Sequence, residues 1–456
     1  MSTTQTETSD GGATSNLKRA VGPAFLLFFI VGDMIGGGIY ALVGAVGAIT
    51  GGAIWTAFLA ALVLAVFTAF AYAELVTKYP QAGGAASYVN RAFKIPFLSF
   101  MIAFAVVLSG ITSAAALSIA FAESYLSQFV PIPTVLGALA LLLVVSLLNF
   151  RGISESVKVN FLFTSIEVTG LLLIVVVGVA AIGAGEGDVG RAFEFKEGIN
   201  PGGAILAGAA LAFYALIGFE DSVNLAEEAE DPVKTYPRVL FLGLGLAGVI
   251  YLLVTIVASM AVPTGPLTDP EAEQTALLQA SQVGPLGLPA GLFALIGLFA
   301  LSNGVLLNLI MGSRLIYGMA DQGVMPRVFS RVHSTRRTPW VAIVFIAVLC
   351  AGLIATGDVS GLASATVVLL LIVFITVNVA VLVLKRDTVD HDHFKAPSFI
   401  PVLGILVCAG LLTQQETPGQ TFGTVGILLV VGVIFYLINY GVKKALDREA
   451  PREDNP

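Results

Sequence analysis

Six charged residues lie inside long apolar stretches of the chain: Asp33, Glu123, Glu167, Glu220, Asp221 and Arg314. A carboxylate at the centre of a membrane helix costs about 2.5–3.5 kcal/mol, so each acid needs a partner, a cavity or a proton. Asp33 stands just ahead of a run of three glycines, Gly36, Gly37 and Gly38, and Gly218 stands just ahead of Glu220 and Asp221. Each glycine weakens a helix by about 1 kcal/mol relative to alanine. Close helix packing through small residues is one reading of such a run. The other is a deliberate break, whose exposed N–H and C=O groups a bilayer tolerates only where they face a cavity or a ligand. The helix restarting after the first break offers free N–H groups and a positive dipole end, which suit a carboxylate. Helices that stop at a break offer free carbonyls, which suit an ammonium or a metal cation. An α-amino acid carries both groups close together.

The elements that must hold these residues are membrane spans. The chain has 456 residues, of which 57% are hydrophobic and 12% charged, with a mean hydropathy of +0.92. A soluble globular chain is about 25% charged. This composition excludes a soluble enzyme, a disordered chain, a collagen and a disulfide scaffold. Cys350 and Cys408 sit in apolar runs and read as packing residues. A helix needs about 20 apolar residues to cross a bilayer. Twelve runs qualify, near 21–48, 53–77, 97–128, 132–150, 159–184, 203–228, 237–262, 286–319, 339–356, 361–385, 398–414 and 421–442.

Twelve spans put both termini on one side, and the basic residues test that count. Of the 23 lysines and arginines, all but Arg191 and Lys196 fall on the side of the termini. The positive-inside rule makes that side cytoplasmic. The broken spans are the first and the sixth, and interrupted segments at corresponding places point to an inverted-repeat transporter. The expected organisation is a disordered cytoplasmic tail over 1–16, a first repeat of five spans over 17–200, and a second over 201–390. Spans 11 and 12 follow over 391–442, with a cytoplasmic tail over 443–456.

Four stretches carry a family resemblance: GDMIGGGIYALVG at 32–44, YAELVTKYPQAGGAASYV at 72–89, FYALIGFEDSVNLAEEAEDPVKTYP at 213–237 and GSRLIYGMADQGVMP at 312–326. In this order they resemble the amino acid–polyamine–organocation transporter superfamily, nearest to its cationic-amino-acid-transporter-like branch. The resemblance implies an all-α protein of the leucine-transporter type, with a 5+5 inverted repeat plus two helices. It implies secondary transport of amino acids in the plasma membrane. Backbone amides at the first break, Ile35, Gly36, Gly37 and Gly38, would then bind the substrate carboxylate. Carbonyls of Tyr214, Ala215 and Ile217 would take the amine, and Phe219 would act as a lid.

Two residues depart from the family pattern. Many bacterial relatives carry a lysine midway along span 5, where this chain aligns Glu167, and neutral residues are usual at Asp33. Glu167 is expected beside the first break, near Ser302 and Asn303. A carboxylate there could carry a proton, the preferred coupling ion, or bind sodium. Asp33, Glu167, Glu220, Ser302 and Asn303 are therefore the coupling and gating candidates.

The remaining signals are weaker. Glu123 is expected to snorkel or line a vestibule, and Arg314 to pair with Glu74 or Glu227 at an inner gate. The glycines at 243, 245 and 248 match a dinucleotide fingerprint, but they follow no strand and read as helix packing. No nucleotide-binding P-loop occurs, so the chain is not itself an ATP-driven pump. His391 and His393 lack the partners of a metal site, and no other cofactor is implied. An intramembrane enzyme working through 220–231 is disfavoured, because Glu220 and Asp221 are adjacent and too deep. Alternatives to amino acid transport are a polyamine or organic-cation carrier or exchanger, and a sensor that binds without turnover. The expected partners are an amino acid as small-molecule substrate and the lipid bilayer. No basic helix suggests nucleic acid, and no signal speaks to the oligomeric state.

Overall fold

In a medium without water every backbone polar group must be satisfied within the protein, so apolar runs of this length fold as helices. The computed structural model describes residues 22–81, 83–227, 229–269, 276–415 and 417–449. The expected N-terminal tail, Lys18, Arg19, Glu228 and Arg452 lie outside them. In chain order the helices are α1 (Pro23–Ile35), α2 (Gly38–Thr50), α3 (Ile54–Lys78), α4 (Gly84–Phe93), α5 (Pro96–Ala120), α6 (Thr134–Arg151), α7 (Ile153–Gly183) and α8 (Pro201–Ala212). They continue with α9 (Pro232–Ala261), the short α10 (Thr264–Thr268) and α11 (Ala276–Ala280), then α12 (Ala290–Asp321), α13 (Trp340–Thr356), α14 (Val359–Leu384), α15 (Phe399–Leu412) and α16 (Pro418–Glu449). Proline at the first turn starts α1, α5, α8 and α9, where its missing N–H costs nothing. Asn200 and Asp358 cap α8 and α14 through side-chain oxygens.

Among the described residues, 10 segments are long and apolar enough to cross a membrane. The runs expected over 339–356 and 398–414 form helices of only 17 residues (α13) and 14 residues (α15). At about 1.5 Å per residue both fall short of a hydrocarbon core of about 30 Å. The first and sixth apolar segments are broken, the first between α1 and α2. The sixth ends its α-helix at Ala212 and continues as two 3-10 stretches, Phe213–Leu216 and Asp221–Leu225, with Gly218 between them at φ +122°. The second half of this segment is thus a tighter 3-10 coil and not the α-helix the periodicity suggests.

The two basic residues that depart from the charge asymmetry have a structural task. Both lie on a strap over 188–196 that crosses the ends of α2 and α9. Lys196 Nζ donates to the carbonyl of Ala48 at 2.8 Å, and Arg191 to that of Met260 at 3.4 Å. Each cation thus meets the negative end of a helix. Backbone bonds from Asp188 to Met260 and from Lys196 to Thr50 fasten the strap, and Trp55 Nε1 donates to Ala192 at 2.8 Å.

The glycines of α9 are packing surfaces. A Cβ on Gly243 would stand 2.7 Å from Ile30 of α1, and one on Gly248 2.4 Å from Leu62 of α3. Gly245 meets nothing within 4 Å. Gly243→Val should therefore destabilise the protein by about 1–3 kcal/mol, the usual cost of overpacking, and lower the melting temperature in detergent. Gly245→Val on the same helix should leave that temperature nearly unchanged. Equal effects from the two would refute the packing role.

Candidate functional site

The two breaks lie against each other. A Cβ on Gly38 would stand 2.8 Å from Ala215 Cα, and one on Gly218 would stand 3.0 Å from the backbone carbon of Asp33. Gly304 of α12 closes the third side, where a Cβ would come within 2.9 Å of the Gly36 carbonyl oxygen. Tyr251, on α9, ties the arrangement together. Its hydroxyl lies 2.6 Å from the Met34 carbonyl and 3.0 Å from that of Ala215, one from each break.

Beside the breaks is a cavity of about 550 Å³. It reaches the surface at Asn90 and Gln322, both exposed. Towards the strap the way is filled by Tyr40, Tyr125 and Phe293, with Tyr40 stacked on Phe293 and Tyr125 donating to the Tyr40 carbonyl. The cavity wall combines apolar Met34, Phe100, Val106 and Ile217 with a polar group of Ser113, Tyr214 and Asn308. Ser113 and the Tyr214 hydroxyl are 2.9 Å apart, and Asn308 donates to Ser113 at 3.2 Å. Asp33, Glu220, Asp221 and Arg314 supply its charged side chains.

Of the residues expected to bind substrate, Gly36, Gly38, Tyr214 and Ile217 line this cavity. Gly37 adopts φ +78° and turns towards Leu117 and Leu301. The N–H groups of Gly37 and Gly38 bond to the carbonyls of Ile35 and Gly36 at 2.8 and 3.0 Å. Further along the first turn of α2 the Ala41 N–H bonds to the Gly37 carbonyl at 3.0 Å. The Ala215 carbonyl is engaged by Tyr251. Phe219 is fully buried against Tyr72 and Phe374 and is absent from the cavity wall.

The coupling candidates divide into two groups. Asp33 and Glu220 face the cavity, where Glu220 accepts the Gly218 N–H at 2.9 Å and Asp33 Oδ2 has no hydrogen-bond partner among the described residues. Glu167 lies outside the cavity wall, fully buried with the Asn303 side chain beside it, and among the described residues neither carboxylate oxygen makes a hydrogen bond of good geometry. Tyr40 donates to its backbone carbonyl at 2.7 Å, which sets Glu167 beside the first turn after the break. One helical turn away, Thr164 bonds Asn303 and Asn160, and a Cβ on Gly32 would strike Thr164. Ser302 bonds only within its own helix, to Leu298. Arg314 lines the cavity, whereas Glu74 takes Lys385 Nζ at 2.8 Å and the Ala396 N–H at 2.9 Å. Beside that pair the Tyr79 hydroxyl donates to Asp387 and holds its carboxyl below the usual range. Glu123 is exposed at the end of the third apolar segment.

A family model for amino acid permeases matches residues 24–441. The chain belongs to the amino acid permease family. It is similar to the branched-chain amino acid permease BcaP of Bacillus subtilis, 25% identical over 93% of both chains. It is also similar to the low-affinity putrescine importer PlaP of Escherichia coli, 28% identical over 86% of this chain and 87% of the relative. A vacuolar cationic amino acid transporter of Arabidopsis thaliana is 30% identical over 78% of this chain and 61% of its own. This permease is therefore a multi-pass membrane protein and a secondary transporter of small solutes, and not an enzyme.

Sequence reasoning passed over Tyr251, Ser113 and Asn308. A signal for Tyr251 was present, because a lone tyrosine deep in an aliphatic span must find a partner for its hydroxyl. Tyr251→Phe in this permease leaves two buried carbonyls without that donor, at a cost of about 1–3 kcal/mol. The variant should melt at a lower temperature and exchange substrate more slowly. Wild-type values of both would show that the breaks hold together without it. Gly38→Val should drive α2 away from Ala215. It should remain monodisperse on size exclusion yet lose any ligand-induced rise in melting temperature, and a retained rise would remove Gly38 from the site.

Proposed function

We propose that this permease moves amino acids across the plasma membrane by alternating access, coupled to protons through Glu167. The reading takes its twelve apolar helices as a 5+5 inverted repeat plus two, with both termini cytoplasmic and the cavity open to the cytoplasm. The observation that carries it is the contact of the two helix breaks at the wall of the cavity. There a helix N-terminus that favours a carboxylate meets carboxylates and carbonyls that favour an amine. The name of the BcaP relative supports an amino acid cargo, and the Arabidopsis relative supports the cationic-amino-acid-transporter-like branch.

A second reading is a polyamine or organic-cation carrier. It is favoured by the three carboxylates on the cavity wall, one of them with an unbonded oxygen, and by the name of the putrescine importer. A thermal-shift screen against amino acids and putrescine separates the cargo classes, since a bound ligand stabilises by mass action. Counterflow in proteoliposomes separates transport from binding without turnover. Stabilisation by putrescine and by no amino acid would overturn the lead reading.

Glu167→Gln keeps the shape of the side chain and removes its titratable oxygen. The variant should retain substrate exchange and lose accumulation driven by a pH gradient, while an imposed sodium gradient should drive neither protein. Accumulation that survives in Glu167→Gln with unchanged pH and sodium dependence would leave Glu167 as a structural carboxylate.

A further inference from the structure

The segment joining α12 to α13 is an exposed, wholly cationic platform that the transport cycle described above does not use. It carries Arg327, Arg331, Arg336 and Arg337, all exposed. No aspartate or glutamate occurs between Asp321 and Asp358. Among the described residues none of the four arginines forms an ion pair. Apolar side chains interleave with them, and Val328, Val332 and Trp340 are 42%, 43% and 41% exposed.

The platform is built rather than loose. His333 and Thr338 close a turn by a backbone bond of 2.9 Å, with Arg337 inside it at φ +55°. Thr338 donates to the Phe150 carbonyl at 3.1 Å, and the His333 ring meets the Phe150 ring edge-on at 5.2 Å. This fastens the turn to the end of α6, beside the exposed Arg151. Further back, Phe329 packs against Phe345 of α13 and Phe435 of α16.

We propose that this platform binds the phosphate headgroups of anionic phospholipids and thereby pins the end of α12. The segment leaves one apolar helix and enters another at Trp340, the depth at which tryptophan meets headgroups. Guanidinium forks match phosphate oxygens in pairs, and clustered cations next to a membrane helix attract anionic lipid. The interleaved valines and Trp340 enter the acyl boundary while the arginines meet the phosphates. A nucleic acid would supply the phosphates but no apolar phase for these side chains. The consequence for transport lies along α12, which carries Asn308 and Arg314 on the cavity wall.

The chain has two tryptophans, and Trp55 lies under the strap at the other end of the molecule, so Trp55→Phe leaves Trp340 as a single reporter. The variant is reconstituted in vesicles containing either brominated phosphatidylglycerol or brominated phosphatidylcholine at equal mole fraction. Quenching of Trp340 should be at least about twofold greater with the anionic lipid. Millimolar inorganic phosphate should leave that excess in place. The excess should vanish in R327Q/R331Q/R336Q/R337Q and persist in K94Q/K234Q/R238Q/R386Q, which removes the same charge elsewhere. Equal quenching by the two lipids in the Trp55→Phe protein overturns the proposal, without reliance on the arginine variants or on any cargo. Abolition by inorganic phosphate, or an equal loss in the second quadruple variant, overturns it as well.

Discussion

A helix interrupted inside a bilayer leaves carbonyls and N–H groups that water cannot reach, and the rest of this structure answers that constraint. Tyr251 places one hydroxyl between the carbonyls of Met34 and Ala215. Tyr125 donates to the Tyr40 carbonyl inside α2, and Tyr40 in turn to that of Glu167 inside α7, which binds the intact helices to the restart of the first segment. These tyrosines come from three helices around the breaks, so satisfying the backbone also locks those helices to one another.

The same economy explains the asymmetry of the two ends. Towards the strap, the rings of Tyr40, Tyr125 and Phe293 fill the space, and Lys196 and Arg191 meet the ends of α2 and α9. At the other end the cavity reaches solvent between α4 and the end of α12. There α3 is joined to the segment after α14 by the Glu74–Lys385 pair and by Lys78, whose ammonium donates to the carbonyls of Leu384 and Asp387. In the alternating access proposed above, these contacts would be exchanged for another set, which is how a packed, two-state element switches. Phe219 is held against Tyr72 and Phe374, away from the cavity wall.

Much of the architecture was legible in the chain. Apolar runs long enough to span, and the glycine breaks in the first and sixth of them, are local properties. Each follows from the thickness of lipid and the cost of an unpaired backbone group. The placement of the candidate residues was legible more than their contacts. Asp33 and Glu220 face the cavity as their burial cost suggested, and Glu167 sits beside the break. Arg314 lines the cavity, and Glu74 meets Lys385 from a distant part of the chain.

Composition and spacing thus determined that this chain lives in a bilayer, roughly where it crosses, and where its helices give way. Tertiary structure decided which freed carbonyls stay free, that the second half of the sixth segment winds as a 3-10 coil, and that Gly37 turns away from the cavity while Gly36 and Gly38 face it. The physical reason is range. A helix or a break is set by neighbours within a few residues. The partner of a buried hydroxyl or carboxylate is whichever group the packing of remote helices brings within about 3 Å, and no pattern along the chain encodes that distance.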